Sequence, residues 1–373
     1  MAGKEGMPYR VGVDKWLFCI TMLLVVAGLA MVFSASAVVA QERFHSPYAY
    51  VGRQAVWVLA GVVALLVLMH IDVSRYNSSK FIGAAVCVTT LLLVMVYLFP
   101  GSHHTHRWIR FGGQFTFQPS ELAKPVLVLF LAWFLSTRLG AMNEWRHTLG
   151  PAILMPLIFI VLVVCQPDLG TALVLFGVTA IMLFLAGLEW KYLVAGVCVA
   201  LPCVAALLIW VPWRLQRVLV FLNQNCDSKD AGAAGYHVCQ SLIAVGTGGL
   251  TGLGYMDGMQ KLFYLPEAST DFIFANIAEE LGLAGAIFIL GLFVALGVRG
   301  MRAGFRSKDP FARLTAFGIT TAILLQAFFN ISVVLALVPT KGIPLPLISS
   351  GGTSVLVTLA SIGILLNISK KVD

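Results

Sequence analysis

Charged side chains are scarce in this sequence. Asp, Glu, Lys and Arg make up 11% of its 373 residues, whereas hydrophobic residues make up 59%. In an average soluble domain about a quarter of the residues are charged. The composition therefore excludes an ordinary soluble protein and indicates a chain with many membrane-spanning segments.

Nucleotide and metal motifs are also missing. The sequence has no P-loop and no glycine-rich dinucleotide fingerprint, which leaves a reaction driven by a cytoplasmic nucleotide without support. His103, His104 and His106 lie close together, but without matching Cys or carboxylate ligands they give only a weak zinc signal. The net charge of +8 is explained by membrane orientation and attraction to anionic lipid, so it requires no nucleic-acid partner.

Apolar runs of roughly 20 residues recur along the chain, and each can cross a hydrocarbon core about 30 Å thick as an α-helix. The fold class is therefore an all-α polytopic membrane protein, with a single membrane domain over residues 1–373. We predict ten transmembrane helices, near residues 16–37, 54–71, 81–100, 118–136, 149–165, 170–187, 192–212, 271–298, 314–338 and 346–367.

Ten crossings place both termini on the same side, and the distribution of Lys and Arg decides which side this is. The larger basic group, including the dense cluster between Arg299 and Arg313, lies on the side of the termini. By the positive-inside rule both termini are cytoplasmic. Lys261 and Lys341 belong to the smaller basic group, on the outer face.

A long segment, residues 213–270, joins the seventh and eighth predicted helices and lies outside under this topology. Loops of this length are usually functional or disordered. Tyr236, Gln240 and neighbouring aliphatic residues can bury a face, which favours order. Cys226 and Cys239 lie on the side where disulfides persist, so they are a disulfide candidate, with two free thiols as the alternative.

Three shorter polar or Gly/Pro-rich segments lie at the ends of spans on the same face. They are residues 106–124 (HRWIRFGGQFTFQPSELAK), 166–172 (QPDLGTA) and 339–354 (PTKGIPLPLISSGGTS). Backbone of this kind is tolerated at membrane depth where it lines a cavity or is buried in protein. Together with the long segment they predict one outward-facing cleft.

Asp271 is the first candidate for chemistry, in the run YLPEASTDFIFANIAEELG (264–282) at the entrance to the eighth helix. Ionisable groups at membrane depth are costly and mark functional sites. Because Ser269 and Thr270 are good N-cap residues, we place Asp271 in the first helical turn. Its alternative role there is an interaction with the helix dipole, worth about 0.3 to 1 kcal/mol.

The same run contains three other carboxylates. Glu267 follows a proline and is expected to be a solvated turn residue. Glu280 lies nearly opposite Asp271 on a helix, because successive residues are about 100° apart. We therefore expect Glu279 and Glu280 to pack or to hold hydrogen bonds within the bundle.

Glu121 and Lys124 lie three residues apart near the start of the fourth helix, just after Pro119. One interpretation is mutual neutralisation, which spares two charges in lipid. The other is that Lys124 faces the cleft and binds an anion while Glu121 orients it. We favour the second.

Further basic residues of the outer face are candidates for holding an anionic ligand. They are Arg107 and Arg110 on either side of Trp108, Arg214 and Arg217 after two tryptophans, and Lys341 in the PTKG turn. The arginines have the alternative role of anchoring helix ends at the membrane surface. Lys341 has no acidic partner nearby in the sequence, which suits an anionic ligand. Asp168 is expected to cap the sixth helix.

Several segments together resemble one protein family. They are FQPSELAK, QPDLGTA, residues 240–254, YLPEASTDFIFANIAEELG and PTKGIPLPLISSGG, in this order over nearly the whole chain. They are similar to signatures of the SEDS family, the FtsW, RodA and SpoVE proteins of bacterial cell-wall synthesis. The PTKG form resembles the FtsW division members. Ser350 replaces the Tyr of S-Y-G-G and Ser269 the His of E-A-H-T-D, whereas Asp271 is retained.

The resemblance implies a peptidoglycan glycosyltransferase of the bacterial cytoplasmic membrane. Such an enzyme polymerises lipid II outside the cytoplasm, in cell division or elongation, from a glycan held on undecaprenyl pyrophosphate. It implies a class B penicillin-binding protein and other divisome or elongasome proteins as partners. Asp271 is then the catalytic base or the ligand of Mg²⁺ or Mn²⁺. The candidates for substrate binding are Arg107, Trp108, Glu121, Lys124, Arg214, Arg217, Gln240 and Lys341.

Two other function classes remain open. A flippase for lipid-linked precursors would use the same cleft and basic groups, but it needs a substrate path through the midplane. A noncatalytic morphogenetic scaffold would explain the helices but leaves the outer carboxylate unexplained. Polymer formation from lipid II by the purified protein separates the enzyme from both.

Overall fold

The protein is described by a computed structural model over residues 12–99, 107–111, 115–141, 144–222 and 232–370. Within these residues, ten apolar helices form the bundle, and each overlaps one of the ten predicted spans, which confirms the polytopic fold class. They are α1 (Lys15–Phe44), α2 (Ala49–His70), α3 (Ser79–Met95), α4 (Pro119–Ser136), α5 (Gly150–Cys165), α6 (Leu169–Leu185), α7 (Trp190–Ile209), α10 (Ile273–Arg306), α11 (Pro310–Val334) and α12 (Gly352–Lys370).

Two further helices, α8 (Pro212–Leu222) and α9 (Gly232–Thr247), lie within the long segment between α7 and α10. The described parts of that segment are therefore ordered, as expected. A short antiparallel hairpin of β1 (Ile109–Phe111) and β2 (Phe115–Phe117) precedes α4.

The centre of the bundle is formed by α4, α11 and α12, whose side chains are mostly buried, whereas none of the side chains of α7 is buried. Small residues let the helices approach closely. A Cβ on Gly363 of α12 would lie 2.6 Å from the carbonyl oxygen of Leu65 on α2. Such contacts are typical of helix packing in membranes. There, close van der Waals packing rather than the hydrophobic effect holds the helices together.

The first and last helices begin and end at the same end of the bundle. Asp14 caps α1 by accepting from the backbone N–H groups of Trp16 and Leu17, both at 3.1 Å. Its other carboxylate oxygen lies 2.6 Å from Arg299 on α10, and its backbone N–H donates to Ser369 on α12 at 3.3 Å. This agrees with the even number of crossings.

Helix α10 is broken at Gly282, which has φ 67° and ψ −167°. Carbonyl oxygens of Glu279 and Glu280 accept from the N–H groups of Leu253 and Gly254, both at 3.0 Å. On the far side of the break, Leu283 N–H donates back to the carbonyl of Gly249 at 2.9 Å. Residues 249–254 therefore dock into the break and satisfy backbone groups that lipid could not.

The segment that follows α9 continues alongside the middle of α1. The hydroxyl of Tyr255 donates to the carbonyl of Ala30 at 2.8 Å. Lys261 lies 2.6 Å from Glu280 and 2.9 Å from the hydroxyl of Ser34. Ser34 is ten residues before the end of α1, which is about 15 Å along the helix.

This packing gives Lys261 a partner that the sequence did not indicate and confirms one sequence expectation. Lys261, counted among the basic residues of the predicted outer face, is only 5% exposed. The physical reason is its carboxylate partner on α10, which the sequence separates from it by 19 residues. Glu279 and Glu280 hold hydrogen bonds within the bundle, as expected: Glu279 accepts from Met259 N at 2.8 Å and Glu280 from Met256 N at 3.0 Å.

We predict that Lys261→Met destabilises the protein by about 3 to 5 kcal/mol, because the Glu280 charge is left buried without its partner. The double variant Lys261→Met/Glu280→Leu should regain much of this loss, since neither charge remains. Thermal unfolding in detergent measures both.

The matched control is Lys191→Met. Lys191 pairs with Glu189 at 2.5 Å, but both side chains are exposed, so stability should change little. Equal unfolding temperatures for Lys261→Met and Lys191→Met would contradict a structural role for the buried pair.

Candidate functional site

Asp271 lies in the turn of residues 267–272 that leads into α10. The N-cap of α10 is Phe272, so the prediction that Asp271 belongs to the first helical turn is wrong: it lies just before the helix, where the interaction with the helix dipole stays an alternative. The cause is local: Glu267 has left-handed backbone (φ 56°), and Phe272 N–H donates to the Glu267 carbonyl at 3.3 Å. The chain therefore closes a turn before the helix begins.

The carboxylate of Asp271 faces the loop between α11 and α12. A Cβ on Gly342 would lie 2.9 Å from Asp271 Oδ2 and 3.9 Å from Arg107 Nη1, so the two charged groups flank this glycine. Among the described residues, no hydrogen bond or ion pair involves the Asp271 carboxylate. It is half-buried and remains free to accept a proton or a ligand.

The pKa of Asp271 is raised to about 7, chiefly by burial. The negative charges of Glu267 and Asp168 also contribute to raising this pKa, whereas the positive charges of Arg107 and Arg217 oppose the rise. A carboxyl group with a pKa near neutrality can both take up and release a proton at physiological pH, which is typical of catalytic acids and bases.

Two cations lie at the same end of the bundle. Burial lowers the pKa of Lys341 to about 8, and no ion pair of Lys341 occurs in the described part of the chain. Arg217 on α8 donates to the carbonyl of Thr340, next to Lys341, at 3.5 Å. These side chains can offer positive charge to an anionic group beside Asp271.

Arg107 is held in place by the turn before α6. Its guanidinium donates to the carbonyls of Gln166, at 3.4 Å, and Pro167, and lies 4.0 Å from Asp168. Asp168 caps α6 by accepting from Thr171 N–H at 3.2 Å, which confirms its expected role.

Asp168 also connects the predicted outer segments. It accepts from Gln118 Nε2 at 3.1 Å and from the hydroxyl of Ser120 at 3.3 Å, both at the start of α4. Gln118 N–H donates to the hydroxyl of Thr353 on α12 at 3.3 Å. Residues from all three shorter segments therefore meet at one place.

Glu121 and Lys124 form a buried ion pair at 2.7 Å, and Lys124 is 6% exposed. The Lys124 ammonium also donates to Gln326 Oε1 on α11, and Gln326 Nε2 donates to the carbonyl of Pro344 at 2.8 Å. The pair thus reaches the loop before α12 through Gln326. Contact of Lys124 with a substrate stays a prediction.

The remaining candidates are less closely connected to Asp271. Trp108 is half-buried just before β1, and Gln240 is half-buried on α9. The side chain of Arg214 lies outside the described part of the chain. Binding by these three residues stays a prediction.

The disulfide and metal predictions are not decided by the geometry. Cys239 is buried on α9, but Cys226 lies outside the described residues, so their bond stays a prediction. The three clustered histidines also lie outside them. In the described ranges, no three His, Cys, Asp or Glu side chains group closely enough to hold a metal. Mg²⁺ or Mn²⁺ at Asp271 would need further oxygen ligands.

Sequence reasoning missed several uncharged residues around Asp271. His237 on α9 stacks on Phe272, with ring centroids 5.9 Å apart. Asn330 on α11 and Ser349 donate hydrogen bonds to backbone carbonyls of the Asp271 turn. The sequence signal for such a residue was a polar amide within an apolar span, because a buried polar group needs a hydrogen-bond partner.

The comparisons with known proteins agree across the chain. The family described as cell cycle protein, comprising FtsW, RodA and SpoVE, matches residues 14–373. The probable peptidoglycan glycosyltransferase FtsW of Geobacter metallireducens is 39% identical over 362 residues, which cover 96% of this chain and 95% of the relative. The stage V sporulation protein E of Bacillus subtilis is 37% identical and covers 96% and 97%.

Solved structures are similar along the same length. A chain from a peptidoglycan synthase complex, described for its coordination of polymerization and crosslinking, has a TM-score of 0.77 and 26% identity, covering 97% of this chain and 99% of its own. The rod shape determining protein RodA of Thermus thermophilus has a TM-score of 0.70 and 26% identity, covering 98% and 99%. The chain therefore belongs to the FtsW, RodA and SpoVE family, as its motifs predicted.

Proposed function

We propose that this protein is a peptidoglycan glycosyltransferase that polymerises lipid II on the outer face of the bacterial cytoplasmic membrane, with Asp271 as the catalytic base. The observation that carries the proposal is the Asp271 carboxylate, which has a pKa of about 7 and lies beside Arg107 and near other cations. The FtsW relative named above supports the activity and a role in cell division or wall synthesis.

The reaction transfers a glycan from undecaprenyl pyrophosphate to a hydroxyl. The 4-hydroxyl oxygen of an incoming lipid II attacks the anomeric carbon of the growing strand, and the bond from that carbon to the pyrophosphate oxygen breaks. The hydroxyl proton passes to Asp271, while the pyrophosphate leaves with the bonding electron pair. One displacement inverts the anomeric centre and needs one base, by analogy with inverting hydrolases.

The leaving pyrophosphate requires nearby positive charge. Arg217 and Lys341 are proposed to supply it. Arg217 interacts electrostatically with Asp271 and bonds Thr340, Lys341 is next to Gly342, which the Asp271 carboxylate faces, and the donors of Arg107 are partly used by backbone carbonyls. Cations directed at developing negative charge stabilise a transition state more strongly in a site that excludes water.

We also propose that the basic end of the bundle, with Arg299 and both termini, is cytoplasmic. The opposite end then faces outward with Asp271. A class B penicillin-binding protein is the proposed partner, since the similar synthase complex coordinates polymerization with crosslinking. Crosslinking is a separate reaction from the glycosyl transfer assigned to Asp271.

Asp271→Asn should lower glycan polymerisation by at least about 100-fold, because it keeps the size of the side chain and removes the base. Asp271→Glu should also be impaired, since near-attack geometry is sensitive to shifts of about 1 Å. The assay uses purified protein and lipid II, with and without its transpeptidase.

Glu189→Gln is the control for loss of a carboxylate far from the site, and it should retain wild-type activity. Polymerisation by Asp271→Asn at a rate near that of the wild type would overturn the enzymatic assignment in favour of a flippase or scaffold.

The polymerisation rate should show a bell-shaped dependence on pH. Asp271 must be deprotonated, so the rate rises as pH passes about 7, and Lys341 must be charged, so the rate falls as pH passes about 8. Lys341→Arg should move the alkaline limb to higher pH, because a guanidinium stays protonated. An alkaline limb unchanged in Lys341→Arg would remove Lys341 from the mechanism.

Lys124 is proposed to support the substrate site through Gln326 and the Pro344 carbonyl. Lys124→Met leaves Glu121 charged and buried, so it should lose activity and stability together. The double variant Glu121→Leu/Lys124→Met has no uncompensated charge and should fold but polymerise poorly. Wild-type rates from the folded double variant would assign the pair a purely structural role.

A further inference from the structure

Four consecutive carbonyl oxygens of the Asp271 turn each accept a hydrogen bond from a different group. Asn276 Nδ2 donates to Ala268 O at 2.9 Å, and Ser350 N–H donates to Ser269 O at 2.9 Å. The next two carbonyls also accept short hydrogen bonds. The Ser349 hydroxyl donates to Thr270 O at 2.6 Å, and Asn330 Nδ2 donates to Asp271 O at 2.8 Å.

These donors come from three separate parts of the fold. Asn276 lies on α10, Asn330 on α11, and Ser349 and Ser350 lie in the loop before α12. Within the turn, Thr270 N–H and Phe272 N–H donate to Glu267 O, whereas the carbonyls of residues 268–271 are held by these outside donors. We call this set of four donors the carbonyl clamp.

Asn330 donates to two carbonyls, whereas each of the other three donors donates to one; the Ser349 hydroxyl makes its second bond as an acceptor, from Leu345 N–H at 2.8 Å. The Asn330 Nδ2 also donates to Ile343 O at 2.7 Å, in the loop that contains Lys341 and Gly342. Both partners are carbonyls, which only accept, so the amide nitrogen must face them. The side chain is 1% exposed. One amide group therefore joins the backbone of the base to the backbone of the loop that its carboxylate faces.

We propose that Asn330 is a positioning residue that fixes the Asp271 carboxylate relative to the Lys341 loop, assisted by the rest of the carbonyl clamp. This inference rests on the proposed function of Asp271 as the base. Asn330 touches neither substrate nor reacting atoms in this role; it acts through two backbone carbonyls.

Loss of Asn330 frees both carbonyls at once. In Asn330→Ala, kcat should fall by up to about 100-fold, the effect of a misplacement near 1 Å. KM for lipid II should stay within about twofold, because the substrate-binding side chains are retained. The acid limb of the pH profile should move to lower pH, since a loosened turn admits water and hydration favours the charged carboxylate.

Two further variants make the test specific. Ser349→Ala removes the bond to Thr270 O and the bond that the Ser349 hydroxyl accepts from Leu345 N–H at 2.8 Å, but it leaves both Asn330 bonds in place. It should therefore change kcat and the acid limb in the same direction by less. Thr320→Val is the matched control: Thr320 is a buried residue of α11 whose hydroxyl donates only to Ala316 O of its own helix, at 2.7 Å. It should retain the wild-type kcat and acid limb.

The experiment is lipid II polymerisation by full-length protein in liposomes from pH 5.5 to 9, normalised to the folded fraction from thermal unfolding. Reduced kcat with a shifted acid limb in Asn330→Ala, but not in Thr320→Val, supports positioning. If Asn330→Ala does not fold, Ser349→Ala decides by the same two readouts. A wild-type kcat and limb in the deciding variant, with Asp271→Asn inactive, overturns the positioning role alone. Activity of Asp271→Asn would instead overturn the proposed function.

Discussion

The site depends on how the backbone N–H and C=O groups of irregular segments find hydrogen-bond partners inside an apolar bundle. Helix α10 breaks at Gly282, and lipid offers no hydrogen bonds to the groups that the break frees. The segment of residues 249–254 supplies them from the protein, and Lys261 fixes the continuation of that segment to Glu280. The chain then leads through the Asp271 turn into the start of α10. The position of Asp271 therefore depends on how this segment is held at the broken helix.

Helix α11 organises the other half of the site through two amides one turn apart. Gln326 donates to Pro344 O and Asn330 to Ile343 O, so both hold the loop that precedes α12. Gln326 is in turn bonded by Lys124, and Asn330 by its second bond reaches Asp271 O. These two uncharged amides thus link Lys124 and the Asp271 turn to the loop before α12. They do so without the desolvation cost that additional ions would carry at this depth.

The sequence predicted the features that depend on composition and local pattern. The ten spans follow from apolar run length, and the capping role of Asp168 follows from its place before α6. The buried position of Lys261 and the turn geometry at Asp271 could not be predicted in the same way. Both depend on contacts between distant residues: Lys261 needs Glu280 and Ser34, and the turn needs Asn330 and Ser349. Periodicity reports which face of a helix is apolar but not which distant donor meets a given carbonyl.

Two carboxylates of the same run show how environment separates structural from chemical roles. Glu280 is 1% exposed, and its oxygens are occupied by Lys261, Ser34 and Met256 N–H. Asp271, nine residues earlier, has cations beside it but no bond to its carboxylate within the described ranges, and its pKa is about 7. A fully bonded carboxylate would have to break those bonds to take a proton, whereas Asp271 has free oxygens and a matched pKa. These differences support the proposed proton transfer to Asp271 rather than to Glu280, and the bonds that hold the Asp271 turn involve backbone carbonyls, which leaves the side chain free.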